Sequence, residues 1–200
     1  LAVDETGAEV DGDEIMTVCA IDLRERGALA GETVVATVMS NLGFDVAMRE
    51  NNINLIKTRV GDRYVLDQMR ASGAVFGGEQ SGHVIFLEHA TTGDGLITAL
   101  QLATVVHRTG RPLSALTSVM TRYPQVLKNV RVAHRELLSS SAAIAEAVRV
   151  AETTLGDSGR VLVRASGTEP LVRVMVEAAE EEKARAIAGR IADLVSVELG

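Results

Sequence analysis

Two hundred residues permit one large domain or two modest ones, and 46% hydrophobic against 24% charged residues supplies enough apolar material for real cores. Aromatics at 2% with no Trp argue against base-stacking platforms, and a formal charge of −7 argues against a broad nucleic-acid footprint. The single Cys19 rules out a disulfide framework and a cysteine metal site and fits a reducing cytoplasm; no apolar run approaches the roughly 18 to 20 residues of a membrane span and no charged-then-apolar leader opens the chain, so the reading is a soluble, cytoplasmic protein without nucleic-acid or membrane partners.

The chain opens Leu1-Ala2-Val3-Asp4 and turns at Glu5-Thr6-Gly7-Ala8, which reads as a strand leaving a hairpin whose earlier part lies elsewhere, so the beginning looks cut. Asp11-Gly12-Asp13 precedes Ile15, Val18, Cys19 and Leu23 at near-helical spacing, with Gly27 as the stop, giving a helix of about four turns. The run Thr33 to Val38 is β-rich, and Val46, Met48, Leu55 and Ile56 bracket further short elements. Asp62 to Met69 supports a helix, Ala74-Val75-Phe76 a short buried strand, and Val84-Ile85-Phe86 its successor after a glycine-rich turn. Gly93-Asp94-Gly95 then opens a helix with Leu96, Leu100, Ala103 and His107 on one face.

Two of the three prolines fall at Pro112 and Pro124, where a domain boundary is placed. Beyond it, Val126 to Val132 is strand-like and Ala142 to Val150 helical, with Ser139-Ser140-Ser141 as the helix start. Val161-Leu162-Val163 and Val172, Val174, Val176 read as strands, and Ala184, Ile187, Ile191 and Leu194 mark a closing helix. The strand-helix alternation before the boundary predicts an α/β domain and the pattern after it a smaller α+β domain. No repeat of fixed period and no low-complexity tract is present.

Two segments carry chemistry. Gly77-Gly78-Glu79-Gln80-Ser81-Gly82-His83 is a polar, glycine-dense loop between short apolar strands. Its glycines let the backbone approach a ligand, Glu79 and Ser81 suit sugar hydroxyls, and His83 can exchange a proton near neutral pH. In open α/β sheets, loops at the carboxyl ends of strands are where ligands sit. A serine-hydrolase reading of Ser81 fails, because the nucleophile elbow needs glycine two residues either side and Glu79 and His83 stand there.

The second segment is Arg164-Ala165-Ser166-Gly167-Thr168-Glu169-Pro170, with Arg173 beyond it. Two guanidinium groups with hydroxyls and backbone N–H groups around Gly167 form a natural phosphate cradle. The competing reading is a hairpin turn with arginines on its solvated face. Asp11 and Asp13 tempt one towards a metal site, but aspartates just before an apolar-periodic run read as helix caps, as does Asp94. His89, His107 and His134 are isolated and without metal-ligand spacing, and Met39, Met48, Met69, Met120 and Met175 read as core filler.

Residues 78–83 and 164–170, in this order and at this distance, resemble the sugar-reading and phosphate loops of the α-D-phosphohexomutase superfamily. The resemblance covers essentially all 200 residues. Gln80, together with Val60-Gly61-Asp62-Arg63-Tyr64-Val65, is similar to the phosphoglucosamine branch, whereas phosphomannomutase/phosphoglucomutase relatives commonly show Met and a Gly-His turn. The implied fold is a mixed α/β domain three at residues 31–118 and an α+β domain four at 119–200. Residues 1–30 would be the remnant of domain two, left with exposed apolar surface.

The implied reaction interconverts glucosamine 6-phosphate and glucosamine 1-phosphate through a phosphoserine and a hexosamine 1,6-bisphosphate, with Mg2+, in amino-sugar metabolism that feeds cell-wall precursors. The resemblance implies phosphate binding by Arg164, Ser166, Gly167, Thr168 and Arg173, ring-hydroxyl binding by Glu79 and Ser81, and assistance of proton transfer by His83. The family's phosphoserine and its aspartate-rich metal loop have no counterpart here, so the chain alone is expected to be inactive, with no metal ligands of its own. A phosphomannomutase or phosphoglucomutase, and a stand-alone sugar-phosphate-binding module, are the alternatives; a homodimer of the longer parent stays open.

Overall fold

The β-branched run Thr33–Thr37 forms β3, the second strand of a four-stranded sheet ordered β4-β3-β5-β6, with β4 at Asn54–Thr58, β5 at Phe76–Gly78 and β6 at Val84–Phe86. β3 runs parallel to β4 and β5, and β6 closes the edge antiparallel to β5. Alternate side chains of a strand face opposite sides, and both sides are covered. Val34 and Ala36 enter the core shared with α1 (Gly12–Glu25), α2 (Leu42–Glu50), α4 (Gly95–Thr109) and α5 (Leu113–Thr117). Val35 meets Val65 and Met69 of α3 (Asp62–Ser72) on the other. Burial on both faces explains why the strand reads as a continuous apolar run.

The computed structural model describes residues 1–200, and the chain divides into two units, Leu1–Arg122 and Tyr123–Gly200. Residues 1–30, expected as a separate remnant, lie within the first unit. β1 (Ala2–Val3) pairs antiparallel with β2 (Glu9–Val10), and Ile15, Met16, Val18, Cys19 and Leu23 of α1 are buried in the same core as Phe44 and Phe76. Only Leu1 and Val3 of that stretch are exposed large hydrophobics. The boundary falls after Arg122 instead of at 118, because Pro112 does not end the unit: it caps α5, whose Leu116 joins the core.

Helix α4 also differs from expectation. Its buried side is Thr98, Leu102 and Val105, while Leu96 and Leu100 are 71% and 59% exposed. The helix carries two apolar stripes, and periodicity alone does not say which faces the sheet. Leu96 and Leu100 stand free; Ala99, Ala103 and His107 line an apolar groove with Leu1 to Glu5, Pro112 and Leu113.

The second unit is a three-stranded antiparallel sheet ordered β7-β9-β8, from β7 (Gln125–Arg131), β8 (Gly159–Ala165) and β9 (Leu171–Ala178). One face, Val161, Val172, Val174 and Val176, is buried with Ile144 and Leu155 of α6 (Ala142–Leu155) and Ile187, Ile191 and Val195 of α7 (Glu181–Leu199). Ser141 caps α6, its hydroxyl accepting from Ile144 N. No helix is long and apolar enough to cross a membrane.

Candidate functional site

The first unit gathers its chemistry where β3, β4 and β5 end. The loops 38–41, 59–61 and 79–83 all leave the carboxyl ends of these strands, the usual ligand edge of an open α/β sheet. Loop 79–83 is a tight turn held by Glu79 N donating to His83 O at 3.0 Å and Gly82 N donating to Glu79 O at 2.9 Å. Glu79 Oε1 accepts from Gly61 N at 3.0 Å, tying this loop to its neighbour. Part of the Glu79 carboxylate is therefore structural, a role that sequence reasoning missed.

The start of α1 seats the loop from behind. Gly12 N donates to Gln80 O at 3.0 Å, and a methyl group at Gly12 would lie 2.5 Å from both Gln80 O and Glu79 O. That close approach admits no side chain. Asp11 caps α1 as the spacing predicts: its carboxylate accepts from Asp13 N and Glu14 N, and Glu14 Oε2 accepts from Asp11 N at 2.9 Å, a capping box. Arg122, which no sequence signal singled out, braces the cap with Nη2 2.5 Å from Asp11 Oδ2 and 3.2 Å from Glu14 Oε2. Asp13 is fully buried and its Oδ2 accepts from Asn41 N at 2.7 Å. Neither aspartate is placed as a metal ligand, and no group of three or more His, Cys, Asp or Glu could share an ion.

His83 stands against Gly93, where an added methyl would reach 2.4 Å from the imidazole. Its Nε2 lies 3.6 Å from Asp62 Oδ2, is shielded from solvent and has no hydrogen-bond partner. Ser81 is exposed. Loop 79–83 thus presents a free hydroxyl and an imidazole beside a carboxylate, a set able to bind sugar hydroxyls and move a proton. Cys19 has no such part: burial pushes its thiol up to about 12, so it stays protonated.

In the second unit the phosphate-type loop joins β8 to β9, and the register places Arg164 directly opposite Arg173. Two cations face to face across a ladder are destabilising unless something anionic lies between them. Burial, and then the nearby Arg173, lower the Arg164 pKa. Arg173 Nη2 meets exposed Glu169 Oε2 at 3.2 Å, yet its Nε is shielded and unpartnered. At the opposite end of the same face Arg160 is matched, its Nε 2.6 Å from Oε2 of fully buried Glu177. Arg131, opposite Leu171 on β7, adds an exposed cation on the Arg173 side of the sheet. The alternation Leu127, Asn129, Arg131 could have signalled it.

Ser166 is 5% exposed, and its Oγ accepts from Glu169 N at 3.3 Å, bracing the loop from within while its O–H remains a donor. Gly167 and Thr168 are exposed, and no bond within the protein engages their N–H groups. Arg135, another residue without a sequence signal, donates from Nη1 to Ser166 O and Glu169 O, each at 2.7 Å. The loop and both arginines singled out by the sequence thus lie together, joined by a residue behind them that the sequence did not signal.

Residues 11–123 match the family model "Phosphoglucomutase/phosphomannomutase, alpha/beta/alpha domain III", and residues 127–194 match that of the "Phosphoglucomutase/phosphomannomutase, C-terminal domain". The phosphoglucosamine mutase of Streptomyces coelicolor is 61% identical over 200 residues, covering 100% of this chain and 44% of the relative. That of Pelotomaculum thermopropionicum is 55% identical over 195 residues, covering 98% of this chain and again 44% of the relative. The chain therefore spans less than half the length of these curated relatives. Among solved structures, Aspergillus fumigatus N-acetylphosphoglucosamine mutase superposes with a TM-score of 0.82 at 23% identity, over 98% of this chain and 45% of that one. A second structure of that enzyme, in complex with GlcNAc-6P and magnesium, gives 0.80 at 22% identity, over 98% and 46%. The chain belongs to the phosphoglucomutase/phosphomannomutase family, of which it carries domain III and the C-terminal domain.

Proposed function

We propose that these 200 residues are the substrate-reading part of a phosphoglucosamine mutase, interconverting glucosamine 6-phosphate and glucosamine 1-phosphate in the cytoplasm. The observation that carries the phosphate half is the in-register pair Arg164 and Arg173 beside the open amides of Gly167 and Thr168. A phosphate dianion would relieve the repulsion, take charge-assisted bonds from both guanidinium groups and accept from the loop N–H groups. The amino-sugar assignment rests on relatives of 55% to 61% identity, all phosphoglucosamine mutases.

In the reaction proposed, Arg164, Ser166, Gly167, Thr168 and Arg173 anchor whichever phosphate is not reacting. Ser81 and the unengaged oxygen of Glu79 hold ring hydroxyls. His83, with Asp62 at its Nε2, accepts or returns the proton of the reacting hydroxyl. A solved neighbour was crystallised with glucose 1,6-bisphosphate and another with magnesium, in keeping with a hexosamine 1,6-bisphosphate intermediate and a Mg2+ requirement in the longer protein. Magnesium has no fitting ligand set here, since Asp11 and Asp13 are taken up by the α1 cap and by Asn41, and no step is routed through it. The phosphoserine is assigned to the length of the relatives that this chain does not span.

Calorimetric titration of the chain with glucosamine 6-phosphate tests the reading. Binding should weaken by roughly 100-fold or more in an Arg164→Ala, Arg173→Ala double variant, on the scale of two charged hydrogen-bond donors lost. Equal affinity in parent and variant would overturn the phosphate cradle. Assays of the longer protein with glucosamine, glucose and mannose 6-phosphates separate the amino-sugar reading from the phosphoglucomutase and phosphomannomutase alternatives.

A further inference from the structure

We infer that Arg135 is a positioning residue that sets the polarity of the phosphate loop, holding the Ser166 carbonyl backwards so that the Gly167 amide of the same peptide points to the ligand. This deepens the phosphate reading above and rests on it. Arg135 lies in a short 3-10 helix, Arg135–Ser140, after β7. The approach to it is fixed, because Ala133 N and His134 N both donate to Leu199 O at the end of α7, at 2.9 and 3.1 Å. From that anchored start, a single nitrogen of Arg135 reaches the carbonyls of Ser166 and Glu169, which flank Gly167 and Thr168. Both bonds are 2.7 Å, the short end of the range and typical of a charged donor.

The Ser166–Gly167 peptide is a dipole, so turning the Ser166 oxygen towards Arg135 turns the Gly167 N–H the other way, while the bond to Glu169 O, whose peptide nitrogen belongs to Pro170 and carries no hydrogen, pins the far end of the loop. The remaining polar groups agree. Ser166 N donates to Leu171 O at 2.9 Å, and Glu169 N donates to Ser166 Oγ at 3.3 Å, so the loop's two ends are closed. Gly167 N and Thr168 N are left without an acceptor, the arrangement of a backbone nest for an anion. A loop free of Arg135 could flip the Ser166–Gly167 peptide and present the Ser166 oxygen to the phosphate, which repels it. Arg135 thus acts through the backbone, whereas Arg164 and Arg173 act on the ligand directly.

The test is titration of the 200-residue chain with inorganic phosphate and with glucosamine 6-phosphate, for the parent, Arg135→Ala and Arg135→Lys. Amide NMR shifts of Gly167 and Thr168 are followed alongside. The alanine variant should bind both anions roughly tenfold or more weakly, and its Gly167 amide should lose its shift on binding. Lysine, which keeps a charged donor, should restore most of both. A folded alanine variant that matches the parent in affinity and amide shifts overturns the inference while leaving the phosphate site standing. A parent that binds neither anion overturns both. Should the alanine chain not fold, Arg135→Gln replaces it, and a folded glutamine variant indistinguishable from the lysine one counts against the inference.

Discussion

The two candidate loops are prepared for ligand in opposite ways. Loop 79–83 is closed on its own protein: Glu79 is bound by Gly61, Gln80 by Gly12, and Gly82 by Glu79. The loop after β8 closes its two ends on itself and is braced from behind by Arg135, but leaves Arg164 opposite Arg173 and two amides open. In the proposed reaction the first loop meets a sugar ring, selected chiefly by the arrangement of its hydroxyls, which a rigid loop serves. A phosphate is selected by charge, so its reader can hold electrostatic repulsion that the ligand relieves. Substitutions in the first loop should therefore be felt in stability, and those in the second in affinity.

The sharpest way to break this comparison lies within the second unit. Arg160 and Arg164 are on the same strand and face, four residues apart, yet Arg160 is matched by fully buried Glu177 and Arg164 faces another cation. Removing Arg160 takes the ion-pair partner from a buried carboxylate, and Arg160→Ala is expected to cost about 3 to 5 kcal/mol in denaturant unfolding. Arg164→Ala should change stability by less than about 1 kcal/mol, since lost packing is offset by relief of repulsion. If the two variants lose similar stability, the open pair is structural and the phosphate reading loses its main support.

Two glycines offer a second comparison of smaller size. A methyl group at Gly12 meets backbone at 2.5 Å on two sides, whereas one at Gly167 meets nothing within 4 Å. Gly12→Ala should therefore cost about 1 to 3 kcal/mol as α1 and the Gln80 loop are forced apart. Gly167→Ala should stay within about 0.5 kcal/mol. Chemical denaturation of both variants, with Gly82 and Gln80 amides as local reporters, checks this. A tolerated alanine at position 12 would mean that α1 does not fix the loop.

Elements with a strong local signal were legible from sequence, and those set by partners distant in the chain were not. The strand at Val84–Phe86, the capped starts of α1 and α4, and the positions of both candidate loops follow from local chemistry. The strand expected at Ala74–Phe76 forms instead at Phe76–Gly78, because Val34 and Val35 pair with Phe76 and Gly77, a choice made by sheet register. The orientation of α4 was ambiguous because two apolar stripes compete. Arg122 and Arg135 were invisible for the same reason: their partners Asp11 and Ser166 are brought near only by the fold. What sequence lacks is the long-range contact that decides between locally equal options.

The smallest expected effect concerns acid. Asp4 accepts from Thr6 and Ala8 in the β1–β2 turn, and its carboxyl is held below its usual value, chiefly by the Thr6 hydroxyl. Glu5 is likewise lowered, first by the Ser114 hydroxyl to which it is bonded. Because both folded-state pKa values are depressed, their stabilisation is complete above the ordinary carboxylate range and is lost as pH falls through it towards the folded values. The hairpin leads directly into Asp11 and Gly12, which seat the Gln80 loop. Acidification should therefore loosen Thr6 and Ala8 amides first and Gly82 next, measured by hydrogen exchange, while the strand amides of β9 stay protected. Glu5 is exposed and Asp4 only half-buried, so the shift in global unfolding should be small. Loosening of β9 before the hairpin would place the acid-sensitive element in the phosphate half and reverse the assignment of rigidity to the sugar half.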